Sequence, residues 1–180
     1  MNYVSTSSRT LRISIRPETP NDIQEVHRVN EHAFGGPDEA QLVDALRAAA
    51  EPNISLVAVV DDQIVGHIFF SPVSVGGEES CAMGLAPMAV LPDYQRQGVG
   101  SQLVRVGLRE CARLGYDVVV VLGHAEYYPR FGFIPASQKG LQSEYPVPDD
   151  VFMVVELKPD ALGGRRGLVK CRPEFNPKAK

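Results

Sequence analysis

Residues 85–100, LAPMAVLPDYQRQGVG, determine how the rest of this chain is organised. The apolar first half of the stretch ends at Pro92, which lacks the N–H group that a sheet ladder needs. A short polar turn follows, and Gly98 and Gly100 then open a segment with helical periodicity. The sequence therefore predicts a strand, a tight loop and the N-terminus of a helix in direct succession.

A loop of this kind is suited to binding an anion. The first turn of a helix leaves about four N–H groups without intrahelical partners, and the helix dipole adds roughly half a positive charge there. Glycines at positions 98 and 100 carry no Cβ atom that would keep a phosphate from the backbone, and Arg96 and Gln97 offer side-chain donors beside it. The stretch is therefore predicted to hold a diphosphate.

Two common nucleotide loops do not match. A Walker loop requires GxxxxGK[ST], and no Gly-Lys pair opens a helix here. The dinucleotide fingerprint requires GxGxxG, whereas Gly100 is followed by Ser101, Gln102 and Leu103. A nucleotide-binding α/β protein is nevertheless one alternative interpretation. Such a protein would bind ATP or NAD and would not bind coenzyme A.

The remaining pattern is Q-x-x-G-x-G, formed by Gln95, Gly98 and Gly100 after an apolar strand. It resembles the coenzyme-binding motif of the GNAT superfamily of acyl-CoA-dependent N-acyltransferases. Downstream, the run from Tyr128 to Phe133 resembles the superfamily's Y-x-x-x-G-F segment. Over residues 11–175 the chain is most similar to a bacterial subgroup of predicted acetyltransferases, because it shares Gly66-His67, Ser71-Pro72, Leu85-Ala86-Pro87 and the run YYPRFGF.

This resemblance implies a fold, a co-substrate and a reaction. The fold is an α/β (α+β) GNAT-like arrangement, a mostly antiparallel mixed sheet with a central parallel pair splayed around the coenzyme and helices on both faces. The co-substrate is acetyl-CoA, no metal is required, and the acetyl group passes to a primary amine by direct attack in a ternary complex. The residues implied to bind the coenzyme are Met88, Ala89, Val90, Gln95, Arg96, Gln97, Gly98, Val99, Gly100 and Ser101.

Composition sets further bounds. A chain of 180 residues with 44% hydrophobic and 22% charged residues is expected to fold as one domain over residues 11–180, after a loose tail at residues 1–10. A net charge of -4 and the lack of basic runs argue against nucleic acid as a partner. The sequence shows no signal peptide and no apolar run of about 20 residues, so we expect a cytoplasmic protein without a membrane partner. Three widely spaced cysteines fit that compartment.

Periodicity predicts the elements around the central stretch. Residues 11–16 alternate as a strand, and two helices are expected from about residue 23 to 33 and from 37 to 50. Residues 54–60, 63–70 and 81–91 form an antiparallel meander, and residues 98–115 a long amphipathic helix. The prediction is completed by a buried parallel strand at 118–122, a short helix near 125–131 and a strand at about 151–157. Residues 161–180 are expected either to add an edge strand or to fold back on the core. In a GNAT-like fold the first two helices form one wall of the acceptor site.

The reaction assigns tasks to particular groups. By resemblance, backbone N–H groups at Met88, Ala89 and Val90 stabilise the oxyanion of the tetrahedral intermediate. Tyr128 is the candidate acid for the leaving thiolate, since a phenol with a pKa of about 10 is protonated at neutral pH. Its neighbour Tyr127 is expected to point elsewhere on a helix.

The base that accepts the amine proton is harder to assign. Glu31, Glu39, His67, His124 and Glu126 are all eligible, and we expect His67, Glu126 and Glu39 on the substrate side. The alternative for each is an ordinary surface or core group, or a chain of water molecules that carries the proton.

One position departs from the family. Many GNAT enzymes carry an asparagine after the strand that corresponds to residues 118–122, where this chain has Gly123-His124. The contact of that asparagine with the pantetheine is therefore not expected here.

The principal alternative in another class is a sensor or regulatory module that binds acyl-CoA without catalysis. The sequence does not identify the acceptor, which is either a small-molecule amine or a peptide amine. The preferred acyl chain, the oligomeric state, for which a homodimer is one option, and the role of residues 161–180 are not encoded in a recognisable pattern either.

Overall fold

The computed structural model describes residues 11–49 and 51–176. Over these residues the chain forms nine strands and three α-helices, with short 3-10 turns between them. In chain order the elements are β1 (Ser14–Pro17), α1 (Ile23–Phe34), α2 (Asp38–Ala49), β2 (Ile54–Val60), β3 (Gln63–Val75), β4 (Glu78–Val90), α3 (Val99–Arg113), β5 (Val118–Leu122), β6 (Ile134–Pro135), β7 (Leu141–Ser143), β8 (Phe152–Glu156) and β9 (Gly167–Lys170).

One sheet contains all of these strands. Its main path runs β1-β2-β3-β4-β5-β8-β6, and β9 pairs with the far end of β3 and with β7. The neighbours are antiparallel except β4 with β5 and β7 with β9, which are parallel. The strand β5 reads VVVVL, and its four valines are all buried, as expected of a strand covered on both faces.

Helices cover both faces of this sheet, as the sequence predicted. Along β3 successive side chains point to opposite faces. On one face α3 packs so closely that a Cβ atom at Gly107 would lie 2.4 Å from the ring of Phe70. On the other face His67 meets Asn30 of α1 across a 3.1 Å contact between side-chain nitrogens. The GNAT-like fold class is therefore confirmed.

Several boundaries differ from the prediction. The first strand begins at Ser14, and the helix expected at 125–131 is only a 3-10 turn, Tyr128–Phe131. Proline at position 129 supplies no N–H for an α-helical bond. The strand β7 lies in a stretch expected to be a loop, and it forms only because β9 pairs with it. Residues 161–180 contain a strand, β9, but this strand pairs with β3 on one side and β7 on the other and so is not at an edge. The predicted tail at residues 1–10 lies outside the described residues.

Within the described residues, no helix has the length and apolar character required to cross a membrane.

Candidate active site

The two parallel strands at the centre of the sheet separate before β4 ends. Their pairing runs from Ala82 with Val118 to Leu85 with Val121. β5 ends one residue later, at Leu122, whereas β4 continues to Val90, still paired on its other side with β3. Residues 86–90 of β4 therefore present an unpaired backbone edge to the space where β5 has diverged.

The direction of the backbone groups along this edge follows from one hydrogen bond. The N–H of Leu91 donates to the carbonyl of Val65 at 2.9 Å, so it points towards β3. Backbone groups alternate in direction along a strand, which turns the N–H groups of Met88 and Val90 the other way, towards the divergence. The carbonyl of Val90 confirms that orientation, because it accepts a 3.0 Å bond from the Gln95 side chain beyond the strand.

The loop after β4 is shaped by residues in the left-handed region. Arg96 has φ of +58° and Gly98 has φ of +89°. Gly98 precedes α3, in which the N–H of Gln102 donates to the carbonyl of Gly98 at 3.0 Å. The N–H groups of the three residues before Gln102 have no intrahelical acceptor, so the start of α3 offers a cluster of donors at the positive end of the helix dipole.

Side chains of the loop serve two different purposes. Those of Gln95, Arg96 and Ser101 line a cleft between the loop and the unpaired edge of β4. Gln97 instead donates from its side-chain amide to the carbonyl of Asp93 at 2.7 Å, so this side chain stabilises the loop itself. Val99 and Ala89 are buried at 1% and 2% exposure. The N–H of Val99 is among the donors at the start of α3, whereas the backbone groups of Ala89, like those of Leu91, face β3, so the structure does not bring Ala89 to the cleft.

A cleft of about 1000 Å³ joins the unpaired edge of β4 to this loop. Its floor is formed by β4, and one end lies against Gly98 and Gly100. Phe34 at the end of α1, with Glu39 and Leu42 of α2, forms a further wall. The first two helices thus line the cleft, and their predicted place as a wall of the acceptor site stays a prediction.

Tyr128 lies at the base of the cleft, with 6% of its surface exposed. A Cβ atom at Gly123 would lie only 2.4 Å from the Tyr128 ring, and the Phe133 ring packs edge-on with its centroid 5.5 Å away. Burial raises the pKa of the Tyr128 hydroxyl above its ordinary value, and the neighbouring Tyr127 adds to the rise. The hydroxyl is therefore protonated at neutral and moderately alkaline pH.

Tyr127 also lines the cleft, contrary to the expectation that it would point elsewhere. Its hydroxyl lies 3.4 Å from Oγ of Ser101, and a Cβ atom at Gly100 would come within 3.0 Å of it. Arg130 stacks over the Tyr127 ring at 4.6 Å and bonds to its backbone carbonyl at 2.9 Å. The rings of Tyr127 and Tyr128 pack edge to face with their centroids 5.1 Å apart, and both tyrosines line the cleft.

The three residues expected on the substrate side are not brought together. Glu39 lines the cleft, whereas Glu126 is exposed and lies outside its lining. His67 is wholly buried and does not line the cleft either. His124, which was eligible as a base, does line it.

His67 belongs to a buried polar network instead. Its Nδ1 accepts from the Asn30 amide at 3.1 Å, and its Nε2 lies 2.9 Å from Oγ of Ser55, which donates to Glu18. These partners fit a neutral imidazole protonated on Nε2. Burial, aided by the positive charge of Arg47, lowers the pKa of His67 to about 3. The structure therefore places His67 in this buried network and not in the lining of the cleft, where a substrate-side residue was predicted.

An unpaired strand edge, a donor-rich glycine loop and a protonated tyrosine in one cleft define a class: proteins that bind an acyl-thioester coenzyme. The family model of the acetyltransferase (GNAT) domain matches residues 14–136. The chain belongs to the GNAT acetyltransferase family.

Close relatives agree with that assignment. The chain is 39% identical over 163 residues to the uncharacterized N-acetyltransferase YhbS of Escherichia coli K-12, covering 90% of this chain and 98% of that protein. The crystal structure of Escherichia coli YhbS in complex with CoA matches with a TM-score of 0.88 and 38% identity over 94% of each chain. A GNAT acetyltransferase from Brucella melitensis in complex with acetyl-CoA matches with a TM-score of 0.77 and 38% identity, over 91% of this chain and 98% of that one.

These findings make the protein an acetyl-CoA-dependent N-acetyltransferase, with acetyl-CoA as its co-substrate. Within the described part of the chain, no cluster of three or more His, Cys, Asp or Glu side chains is arranged to hold a metal ion.

Proposed function

We propose that this protein transfers the acetyl group of acetyl-CoA to a primary amine by direct attack in a ternary complex, with Tyr128 as the acid. The observation that carries the proposal is the divergence of β4 and β5 beside the glycine loop. It provides unpaired backbone groups for an extended ligand and leads from the start of α3 to the Tyr128 hydroxyl.

The loop would hold the diphosphate. The N–H groups at the start of α3 donate to the anion, and the guanidinium of Arg96 lies in the same part of the cleft. Because a Cβ atom added at Gly98 would meet no protein atom within 4 Å, the space beside this residue is available to the phosphates.

The unpaired edge would stabilise the transition state. As the amine nitrogen bonds to the thioester carbon, the C=O electron pair moves to oxygen, which then carries the negative charge. The N–H groups of Met88 and Val90 point towards the divergence and are the donors available to that oxygen. One such preorganised donor is worth about 3 kcal/mol in the transition state.

Tyr128 would complete the departure of the coenzyme. When the C–S bond breaks, the electron pair stays on sulfur, and the Tyr128 hydroxyl donates its proton to the thiolate. The raised pKa keeps this hydroxyl protonated over the working pH range. The proton lost by the amine passes to a group in the cleft, for which Glu39 and His124 are the described candidates, or to a chain of water molecules.

Release of free CoA, measured with a thiol reagent and a broad amine panel, tests this function. Tyr128→Phe removes only the hydroxyl and should lower kcat by about 100-fold, the usual contribution of a general acid. Tyr116→Phe is the matched control, because Tyr116 lies before β5, at the end of that strand remote from the cleft.

Two results would contradict the proposal. CoA binding without turnover on any amine would favour a non-catalytic acyl-CoA sensor. A Tyr128→Phe variant as active as wild type would remove Tyr128 from the mechanism and leave the Tyr127 hydroxyl as the next candidate.

We place the enzyme in the cytoplasm as part of this proposal. Cys111 and Cys171 are free thiols, which suits a reducing compartment.

A further inference from the structure

A second, smaller pocket of about 290 Å³ lies beside the divergence of β4 and β5, and we call it the apolar pocket. Ser71 and Val73 of β3 line it. They alternate along the strand with Phe70, whose ring meets α3. The apolar pocket is therefore on the face of the sheet opposite α3.

The apolar pocket meets the coenzyme cleft where the strands separate. Leu85, Ala86 and Leu122 line both spaces. Leu85 is in the last paired position of β4, and Ala86 is the first residue of its unpaired edge. A molecule in the apolar pocket can thus present one end to the place where the proposed thioester lies.

The outer walls come from the C-terminal part of the chain. Val169 of β9, Cys171 and Phe175 close one side, and Glu144 and Tyr145 another. All of these residues follow position 136, where the match to the family domain ends. Three of them, Val169, Cys171 and Phe175, belong to residues 161–180, whose role the sequence did not reveal.

A buried hydroxyl in the wall lacks a partner. Ser71 is 1% exposed, and its Oγ has no hydrogen-bond partner among the described residues. A buried polar group left unsatisfied is costly, which a bound polar group or water would relieve. Ser71 pairs with Gly84, one residue before Leu85, so this hydroxyl favours a ligand with a hydrogen-bonding group at the divergence end of an otherwise apolar body.

The charged side chains that line the pocket favour one sign of charge on the ligand. Glu144 is the single carboxylate among the described residues that line the apolar pocket, and no Lys, Arg or His lines it in that part of the chain. The Glu144 Oε1 accepts a 2.6 Å bond from the N–H of Cys171, which fixes the carboxylate in the wall. An ammonium group is attracted to such a wall, whereas a ligand with its own carboxylate is repelled.

We propose that the apolar pocket binds the acceptor of the transfer reaction, a primary monoamine with a compact apolar body such as an arylalkyl or short alkyl chain. This inference rests on the proposed function. The apolar body fills the pocket lined by Val73 of β3 and Val169 of β9. Glu144 balances the charge of the incoming ammonium group, and the amine nitrogen reaches the divergence past Ala86.

The test measures binding rather than turnover. The protein is first titrated with CoA by isothermal calorimetry, and the CoA-loaded protein is then titrated with 2-phenylethylamine and, separately, with butane-1,4-diamine. We expect 2-phenylethylamine to bind at least about tenfold more tightly than the diamine, whose second charge would enter an apolar space.

Two variants locate the binding. Glu144→Gln keeps an oxygen for the Cys171 N–H but removes the charge, and it should weaken 2-phenylethylamine about tenfold. Val169→Phe fills the pocket and should abolish amine binding while CoA binding persists. Glu78→Gln, at the exposed start of β4, is the control for loss of one carboxylate and should match wild type.

No binding of 2-phenylethylamine to the CoA-loaded protein, preference for the diamine, or wild-type affinity in both pocket variants overturns the acceptor assignment. Failure of the proposed function is seen separately, as absence of CoA binding in the first titration or absence of CoA release with every amine.

Discussion

Replacing Gly98 by glutamate tests the coenzyme loop, because the structure separates its effect on folding from its effect on binding. Gly98 has φ of +89°, and no protein atom lies within 4 Å of an added Cβ. The only cost to folding is therefore the left-handed backbone, about 1–2 kcal/mol for a residue with a Cβ. The variant should fold, with a slightly lower midpoint of thermal unfolding.

Its effect on coenzyme binding should be much larger. The new carboxylate would occupy the space assigned to the diphosphate, beside the N–H groups that start α3. Two like charges about 4 Å apart repel by about 4 kcal/mol at an effective dielectric constant of about 20. Solvent screening at this exposed loop reduces that figure, so we expect a loss of about 3 kcal/mol, or roughly a hundredfold in the Kd of CoA.

A matched control is available in the turn between β3 and β4. Gly77 has φ of +87°, and an added Cβ there also meets no atom within 4 Å, so Gly77→Glu carries the same backbone strain and charge far from the cleft. Isothermal titration of CoA into both variants is the assay. Wild-type affinity in Gly98→Glu, or an equal loss in Gly77→Glu, would refute the diphosphate assignment.

Three further predictions concern neighbouring features. Gly123→Ala places a methyl group 2.4 Å from the present position of the Tyr128 ring, so the ring must shift. We expect kcat to fall while the Kd of CoA changes little. An unchanged kcat in steady-state kinetics would contradict the role assigned to Tyr128. Gly107→Ala gains up to about 1 kcal/mol of helix propensity, but the new methyl group would lie 2.4 Å from the buried Phe70 ring. The overpacking costs about 1–3 kcal/mol and should exceed the gain, so we expect a lower midpoint of urea unfolding; a raised midpoint would contradict this. His67 has a pKa of about 3 in the folded state and about 6.5 in the unfolded state, so between these values the unfolded state binds more protons. The free energy of unfolding should therefore fall by up to about 1.4 kcal/mol per pH unit as the pH drops below about 6.5. Urea unfolding at several pH values should show a weaker dependence of this free energy on pH in His67→Gln.

Local patterns predicted the part of the fold that we propose to hold the coenzyme. The strand that ends at Pro92, the turn with Gly98 and the amphipathic α3 are encoded within a few residues of one another, and the structure matches them closely. The crossover to β5 follows from its run of apolar β-branched residues. Such features depend on sequence neighbours, so a single sequence contains them.

Features that depend on distant contacts were not predictable in the same way. The position of His67 is decided by Asn30 and Ser55, which come from other elements, so its strand pattern alone did not exclude a place at the site. Tyr127 faces the cleft, where its hydroxyl lies 3.4 Å from Oγ of Ser101, a residue of α3 that is distant in sequence. The apolar pocket forms only when β9 returns to β3, about 95 residues later in the chain.

A crystal structure of the protein with acetyl-CoA, and in particular the distance from the thioester sulfur to the Tyr128 hydroxyl, tests the central claim most directly. The account predicts the diphosphate on the N–H groups at the start of α3 and the sulfur within hydrogen-bond reach of that hydroxyl, about 3.5 Å, or bridged to it by one water. A diphosphate bound away from Gly98, or a sulfur too far from Tyr128 even for a bridging water, would contradict it.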